Sequence, residues 1–278
     1  MKSAILLISL YAVSGLSAER ITTSQIQDVQ KFVTQKKADL GAESVLVVYD
    51  FDNTLMAMNQ DAGSDQWYHW QQTALKSGNK KEAWVSSQSE LYDLHYKLFA
   101  LGQMHATEKE TPAVVKAIQD MKIKSIVLTS RGDLYRNDVE IELDRIDTNF
   151  KASAIGPEGG YPGTFKPDGI ENARLISFQD GIVMGSGQNK GQILKGILKK
   201  TGSQFKAIVF VDDTLKNIEN VEKEYTGDKS VTTFYYTHEE ARVKKFEKDK
   251  SQARAEWKIL KPLLQFYKQD DQNLNLKK

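Results

Sequence analysis

The sequence predicts an α/β protein in which a central parallel sheet lies between layers of helices. Three short apolar runs are rich in Val, Ile and Leu and lack polar alternation, which is the composition of parallel strands covered on both faces. These runs are residues 45–49, 125–128 and 207–211. Segments with helical patterns separate them, and strands that alternate with helices favour a parallel sheet.

The elements around these strands follow from local signals. A Thr-Ser cap precedes an apolar stripe at helical spacing and predicts a helix before the first strand; the stripe is formed by Ile26, Val29, Phe32 and Val33. Pro112 stands in the first turn of a second predicted helix, a position that proline favours. Residues 182–184 predict a short strand, and residues 191–200 predict the helix after it. The Gly- and Pro-rich residues 155–163 are typical of a surface loop.

We predict one catalytic core that is interrupted once. Residues 58–106 have a helical pattern dense in aromatic side chains, and we interpret them as a small helical cap inserted after the first motif. The core then consists of residues 19–57 and 107–237, followed by a charged helical extension at residues 238–278. Because the insert breaks the core at one place, we expect strand pairing not to depend on it.

The composition is that of an ordinary globular protein, with 40% hydrophobic and 27% charged residues among 278. The 38 basic and 37 acidic side chains leave a formal net charge of +1, so we expect no nucleic-acid partner. The chain has no cysteine and therefore no disulfide. The sequence does not predict an oligomeric state.

The N-terminus has the pattern of a secretory signal peptide. Lys2 precedes an apolar stretch at residues 4–13 and small residues at 14–18, so we predict that residues 1–18 are removed on export to the periplasm or the extracellular space. A buried first helix or an uncleaved anchor is the alternative. No later segment has about 18 uninterrupted apolar residues, so we expect no membrane association after the signal is removed.

Two carboxylates, Asp50 and Asp52, follow the first strand. Ligands of open α/β sheets bind at the carboxyl ends of strands, and an extended backbone would point both side chains the same way. Converging carboxylates repel unless a cation or a shared proton separates them, which favours metal-assisted phosphoryl chemistry. A calcium loop would need Gly and Glu where Leu55 and Asp61 stand. An ordinary strand end followed by a solvated turn is the other interpretation.

Four segments between residues 45 and 217 resemble, in order, the motifs of the haloacid dehalogenase superfamily; they are Asp50-Phe51-Asp52-Asn53-Thr54, Thr129, Lys190, and Asp212-Asp213 with Asn217. The resemblance implies a Rossmann-like three-layer sandwich with a cap after the first motif. It also implies an exported, Mg²⁺-dependent phosphomonoesterase that acts on a small-molecule phosphomonoester. Within the superfamily, the chain resembles exported proteins of intracellular bacteria, and it has some likeness to class B and C acid phosphatases.

The same resemblance implies a role for each motif residue. Asp50 is the expected nucleophile, which forms an aspartyl-phosphate, and Asp52 is the expected general acid and then base. Thr129 is expected to hold a phosphoryl oxygen, and Lys190 to neutralise charge beside Asp50. The implied Mg²⁺ ligands are Asp50, the backbone carbonyl of Asp52, and Asp213.

Several assignments have rivals. Thr129 competes with Ser130 for the hydroxyl role, and Lys190 competes with Lys195 for the lysine role. We favour Thr129 over Ser130 because Arg131, two residues further on, resembles the spacing in class B and C acid phosphatases. Arg131 itself either binds substrate or pairs with a nearby aspartate, Asp133 or Asp138.

In the acidic motif we assign Asp213 to the metal and Asp212 to a supporting role, although their order could be reversed. Asn217 is a second supporting residue; it replaces a carboxylate that is often found at this position in the superfamily and lowers the charge of the site.

In the insert, Trp67 and Trp70 are either core residues or a platform for the ligand, and we interpret His69 as a surface or hydrogen-bonded histidine.

Two alternatives to a phosphatase stay open. A phosphotransferase or mutase would share the fold and the nucleophile. A catalytically weak, secreted binding protein is the second alternative, supported by Asn217 and by the long charged C-terminal extension.

Overall fold

The computed structural model describes residues 19–275, with side chains described as far as residue 264. The predicted signal peptide, residues 1–18, lies outside the described residues. The strands are β1 (Glu19–Thr23), β2 (Val45–Tyr49), β3 (Met56–Met58), β4 (Met104–Ala106), β5 (Lys124–Thr129), β6 (Tyr161–Phe165), β7 (Ile176–Gln179), β8 (Ile182–Met184), β9 (Ala207–Asp212) and β10 (Val231–Tyr236). The helices are α1 (Ile26–Leu40), α2 (Asp65–Lys76), α3 (Gln88–Leu101), α4 (Thr111–Asp120), α5 (Arg136–Arg145), α6 (Lys190–Thr201), α7 (Leu215–Glu224), α8 (Glu240–Lys248) and α9 (Ser251–Asn275).

Eight of the strands form one sheet, in the order β1-β10-β9-β2-β5-β8-β7-β6. The six strands from β1 to β8 in this order pair in parallel, and β7 and β6 continue the sheet antiparallel. The predicted α/β class with a mostly parallel central sheet is therefore confirmed. The central position of β2 places its carboxyl end, and the carboxylates after it, at the middle of the sheet.

Alternate residues of β2 belong to two hydrophobic cores, one on each face of the sheet. Val45, Val47 and Tyr49 pack in the first core with buried residues of α1, α4 and α5. Leu46 and Val48 pack in the second core with buried residues of α6 and α7. A strand covered on both faces has no polar alternation, which explains the apolar run in the sequence.

Four strands at the margins of the sheet were not predicted, namely β1 and β10 on one side and β7 and β6 on the other. β1 and β10 pair in parallel, with Glu19 opposite Thr232, and β6 begins inside the segment that we expected to be a surface loop. Most residues of β1 and β6 are exposed or half-buried. Backbone pairing stabilises such edge strands, and pairing leaves no hydrophobic pattern in the sequence.

The insert contains α2 and α3, and β3 and β4 pair antiparallel at its base. Its apolar side chains share a third core with α8 and α9, in which Trp67 and Leu91 pack together with Phe246 and Ala253. The expectation that strand pairing does not depend on the insert stays a prediction, and it did not include this contact between the insert and the C-terminal helices. Within the described residues, no helix combines the length and the apolar character needed to cross a membrane.

Candidate active site

The register of the sheet brings the first and last acidic motifs together. Tyr49 of β2 lies opposite Val211 of β9, so Asp50 and Asp212 follow at the same level on neighbouring strands. The Asp50 N–H donates to the Val211 carbonyl at 2.8 Å, which extends the pairing by one residue. Both carboxylates are buried at the carboxyl edge of the sheet, where ligands of open α/β sheets bind.

Lys190 occupies the space between these two carboxylates because of how α6 begins. The side chain of Asn189 accepts a hydrogen bond from the Gln192 N–H at 3.1 Å and caps the helix, so Lys190 is its first residue. Gly191 follows, and a Cβ there would lie 2.6 Å from the Asn220 carbonyl oxygen of α7. The absent side chain lets α6 approach α7 closely, which fixes the position from which Lys190 reaches the sheet.

The Lys190 ammonium contacts both acids. Nζ lies 2.6 Å from Asp50 Oδ1 and 2.7 Å from Asp212 Oδ2, and the lysine side chain is 1% exposed. Burial disfavours the charged amine, but the charges of Asp212 and Asp50 outweigh it and raise the pKa of Lys190. Lys195, the rival lysine, is exposed and pairs instead with Glu224 at 3.1 Å.

Asp212 is tied to its neighbours, whereas Asp213 is more open. The Thr214 N–H donates to Asp212 Oδ1 at 2.8 Å, and Asn217 Nδ2 lies 3.1 and 3.2 Å from the two oxygens of Asp212. Asp213 accepts from the Thr214 hydroxyl at 3.3 Å and borders a cavity. Both oxygens of Asp212 therefore have hydrogen-bond partners, whereas Asp213 is accessible from the cavity.

Asp50, Asp212 and Asp213 form a group that could hold a metal ion, since one oxygen of each lies within 4.8 Å of the others. Burial, and then the charges of Asp212 and Asp50, raise the pKa of Asp213. Burial and the Asp212 charge likewise raise the pKa of Asp50, against the opposing charge of Lys190. A cation would relieve this repulsion, and carboxylate oxygens are the ligands that Mg²⁺ prefers, so the donor set fits a hard divalent ion.

Asp52 is positioned by a turn and not by the strand. β2 ends at Tyr49, the Leu55 N–H donates to the Phe51 carbonyl at 3.1 Å, and Asn53 has a φ of 54°. The argument from strand alternation therefore fails for Asp52. The two carboxylates also have different partners, because Arg131 binds Asp52 and Lys190 binds Asp50.

Arg131 makes a two-bond ion pair with Asp52, which was not among the partners considered for it. Nε donates to Oδ2 at 2.9 Å and Nη2 to Oδ1 at 2.7 Å. The guanidinium lies 3.7 Å from the ring centre of Phe99 and 5.1 Å from that of Tyr135. Among the described residues, buried Nη1 has no hydrogen-bond partner. Burial raises the pKa of Asp52, although the Arg131 charge opposes the shift.

The two candidate hydroxyls differ in exposure. Thr129 is fully buried, and its Oγ1 accepts from the Arg131 N–H at 3.1 Å, so it supports the turn after β5. Ser130 is exposed at the end of the same strand. Thr129 thus positions the backbone of Arg131, and Ser130 is the more accessible hydroxyl.

A cavity of about 460 Å³ opens beside the acidic group. Its floor includes Asn53 and Asp213, one wall comes from α2, and the other comes from α8. Trp70 lines the cavity, whereas Trp67 is fully buried in the third core. His69 also lines it and lies 3.5 Å from Asp65, whose charge raises the pKa of His69.

Sequence reasoning missed the α8 wall. Val243 and Phe246 lie almost 200 residues from the first motif, and nothing in their local pattern separates them from ordinary core residues of a terminal helix. Asn53 was within the quoted motif, but its role at the cavity floor depends on the turn and not on the strand.

The fold and this site define an α/β protein with a buried carboxylate and lysine centre at the carboxyl edge of its sheet. Residues 22–268 match a family described as a protein of unknown function (DUF2608), and the chain belongs to that family. A search of curated proteins found no match. The description of the family names no activity, so the likeness to haloacid dehalogenases is carried by the motifs.

Two of the solved structures that are similar to this chain are enzymes by their descriptions. One is described as a beta-phosphoglucomutase from Thermotoga maritima; it is 13% identical, covers 72% of this chain and 98% of its own, and gives a TM-score of 0.39. The other is the cytosolic 5'-nucleotidase IIIB bound to cytidine; it is 14% identical, covers 78% of this chain and 81% of its own, and gives a TM-score of 0.31. Both scores are low, and the interpretation of the site depends on its own geometry.

Proposed function

We propose that this chain is a divalent-cation-dependent phosphomonoesterase that forms an aspartyl-phosphate on Asp50. One observation carries the proposal: a buried Lys190 ammonium bridges Asp50 and Asp212 within a group of three carboxylates. A structural ion pair would need one acid for one base. The additional carboxylates of the group, one buried and one partly exposed, call for a second cation, and a site with a lysine and a divalent cation suits the transfer of an anionic phosphoryl group.

Asp50 is the proposed nucleophile because one of its oxygens is free to react. The contacts from Lys190 and from the Phe51 N–H, at 2.6 and 2.7 Å, both end on Oδ1. Oδ2 would then attack phosphorus, and the bond from phosphorus to the leaving oxygen would break. Lys190 would hold Asp50 ionised and orient it during the attack.

Asp52 would give a proton to the leaving oxygen and later take one from the water that hydrolyses the aspartyl-phosphate. Its two bonds to Arg131 must loosen before it can carry that proton. Arg131 Nη1, which has no partner among the described residues, is a suitable donor to a phosphoryl oxygen. We propose Arg131, Ser130 and Lys190 as phosphate-binding residues, with Thr129 supporting the turn that carries Arg131.

Mg²⁺ is the proposed cofactor. Asp50 and Asp213, with the backbone carbonyl of Asp52, would hold it, while Asp212 and Asn217 would fix the surrounding loop. Bound there, the ion would neutralise charge on the transferring group. The proposed substrate is a small-molecule phosphomonoester. We also propose that the protein is exported, because of the signal-like pattern in residues 1–18.

The pair of Arg131 and Asp52 favours one alternative, a binding protein with weak catalysis. A carboxylate held by two charge-assisted hydrogen bonds is a poor proton donor while the pair persists. Such a protein would bind a phosphomonoester without releasing phosphate. A mutase or phosphotransferase would instead pass the phosphoryl group to an alcohol, which product analysis in the presence of an alcohol acceptor would reveal.

The test is release of phosphate from 4-nitrophenyl phosphate by the purified chain, with Mg²⁺ and with EDTA. We expect Mg²⁺-dependent turnover that falls by several powers of ten in Asp50→Asn. The matched control is Asp39→Asn, which makes the same change on the exposed face of α1 and should keep the wild-type rate. Tight substrate binding with no turnover would instead support the binding protein.

A further inference from the structure

We propose that α2 and α8 together form the site for the leaving group, and that this site takes an uncharged planar ring that carries both a hydrogen-bond donor and an acceptor. The inference rests on the proposed function, because it names the class of phosphomonoester that the Asp50 site would cleave. It also gives a role to the C-terminal helices, which the motif resemblance does not cover.

The position of the cavity connects it to the reaction. Its floor includes Asn53, Asp213 and Thr214, and Asp213 shares the acidic group with Asp50. A phosphoryl group at Asp50 would therefore have its leaving oxygen at the floor of the cavity, with the rest of the leaving group between α2 and α8. The volume of about 460 Å³ is within the usual range for pockets that bury an organic ligand, about 300 to 1,000 Å³.

The far walls of the cavity are aromatic and apolar. Trp70 of α2 and Phe246 of α8 lie with their ring centres 6.0 Å apart and their planes at 71°. Val243, one turn before Phe246, lines the same side. A polyol would leave these surfaces without polar partners, whereas a planar ring gains dispersion and edge-to-face contacts there.

Gln66 supplies the polar specificity. It lines the cavity and is 7% exposed, and among the described residues neither its amide oxygen nor its amide nitrogen has a hydrogen-bond partner. A buried amide left unpaired is destabilising, so such groups are rare unless a ligand or water satisfies them. A ring edge with one donor and one acceptor would satisfy both atoms.

Charge around the cavity disfavours an anionic leaving group. Asp65, Asp213 and Glu247 all line it. Lys250 also lines it, but its ammonium is already engaged by the carbonyls of Phe246 and Glu247, at 3.3 and 2.6 Å. A leaving group with a second phosphate would meet three carboxylates, whereas Lys250 has only one N–H left to donate to it.

Both C-terminal helices pack against the insert: Phe246 of α8 lies in the third core, and α9 adds further contacts. Trp84 stacks on Trp257 with ring centres 4.7 Å apart, and Arg254 pairs with Glu82 at 2.6 Å. Glu256 accepts hydrogen bonds from the backbone at the base of the insert, including the Ala62 N–H at 2.7 Å. The α2 and α8 walls of the cavity therefore belong to one packed core, so a substitution on α8 should alter which leaving groups fit.

The experiment compares kcat/KM for uridine 5'-monophosphate, whose ring edge has a donor and acceptors, with kcat/KM for glycerol 2-phosphate, which has no ring. Val243→Trp fills the cavity from α8, and Lys248→Trp puts the same side chain on the exposed face of the same helix. We expect the ratio of the two efficiencies to fall roughly tenfold or more in Val243→Trp and to stay at the wild-type value in Lys248→Trp. Gln66→Leu should lower the same ratio, because it removes the amide but keeps the volume similar.

An unchanged ratio in a folded Val243→Trp variant would overturn the assignment of α8. A wild type that hydrolyses neither substrate would overturn the proposed function instead. In that case the cavity is tested by calorimetric titration with uridine, which carries no phosphate. Binding to the wild type and to Lys248→Trp, but not to Val243→Trp, would support the ring site, and no binding to the wild type would reject it.

Discussion

Arg131 binds both oxygens of the Asp52 carboxylate, with Nε to Oδ2 at 2.9 Å and Nη2 to Oδ1 at 2.7 Å. The guanidinium lies against Phe99 of the insert and Tyr135 after β5. The pair therefore connects the proposed general acid to the insert. Contacts of the insert could control whether Asp52 is free to move a proton.

The first prediction concerns this pair. Arg131→Met removes the charge that opposes the raised pKa of Asp52, so that pKa should rise further. A general acid must be protonated to act, and the basic limb of the kcat/KM profile should consequently move to higher pH. The maximum rate should fall because a phosphate-binding group is lost.

The matched control for that profile is Arg145→Met, which removes an exposed arginine on α5 that pairs with Glu142. The acidic and basic limbs of the kcat/KM profile of Arg145→Met should coincide with those of the wild type. A basic limb that stays in place in Arg131→Met would show that Asp52 is not the titrating acid.

The second prediction concerns stability. Lys190→Met leaves two buried carboxylates without their shared cation and should cost about 3–5 kcal/mol in the free energy of unfolding without metal. Lys195→Met, on the same helix, breaks a solvated pair and should cost less than about 1 kcal/mol. Urea titrations give both values. Added Mg²⁺ should restore part of the loss in Lys190→Met alone, and equal losses in the two variants would contradict the buried arrangement.

The third prediction concerns acid sensitivity. Burial, and then the charge of Arg131, lower the pKa of His95 from 6.5 to about 3. The unfolded chain therefore binds a proton at His95 before the folded chain does, and the stability present above pH 6.5 is lost as the pH falls. Between pH 7 and pH 5 this group should account for a loss of about 2 kcal/mol, and His95→Phe should remove that part of the loss.

The pKa of His69 is shifted in the opposite direction from that of His95, so its effect on stability has the opposite pH dependence. The Asp65 charge raises the pKa of His69, so its contribution is present at low pH and is lost as the pH rises through the folded pKa. In His69→Gln the loss between pH 7 and pH 5 should become larger, whereas in His95→Phe it should become smaller. Urea titrations at pH 7 and pH 5 measure the free energy of unfolding of each variant. An equal change in this free energy in the wild type and in His95→Phe would contradict a buried neutral histidine at position 95.

The fourth prediction concerns the insert and the C-terminal helices. Replacing residues 60–106 with a short linker would expose the apolar side chains that α8 and α9 pack against the insert, including Phe246 and Trp257. We expect this variant to bind the dye ANS and to aggregate. Removing residues 238–278 as well should restore solubility and a cooperative urea transition. A well-folded single deletion without dye binding would show that the C-terminal helices do not need the insert.

The sequence predicted those parts of the site that depend on strand order. The apolar runs before Asp50 and Asp212 predict buried parallel strands, and the neighbouring positions of β2 and β9 place both acids at one edge. The contact of Lys190 with both acids is consistent with the role that the motif resemblance implies.

The rest depends on contacts that leave no local pattern. Whether Arg131 pairs with Asp52 or with a closer aspartate is decided by the turn after β2 and by rings from two other elements. The cavity wall at Phe246 exists because α8 returns to the insert after the last strand of the sheet. The pairing of β1 with β10 joins residues that lie more than 200 positions apart, and β1 is mostly exposed and has no hydrophobic alternation.

The central claim is that Asp50 Oδ2 accepts the phosphoryl group. The most direct measurement is mass spectrometry of peptides from enzyme that has been mixed with 4-nitrophenyl phosphate and Mg²⁺ and quenched in acid within one turnover. The account predicts a phosphoryl adduct on the peptide that contains Asp50, located on Asp50 by fragmentation and absent from Asp50→Asn. Turnover by the wild type without any adduct on Asp50, or an adduct on another residue that persists in Asp50→Asn, would contradict it.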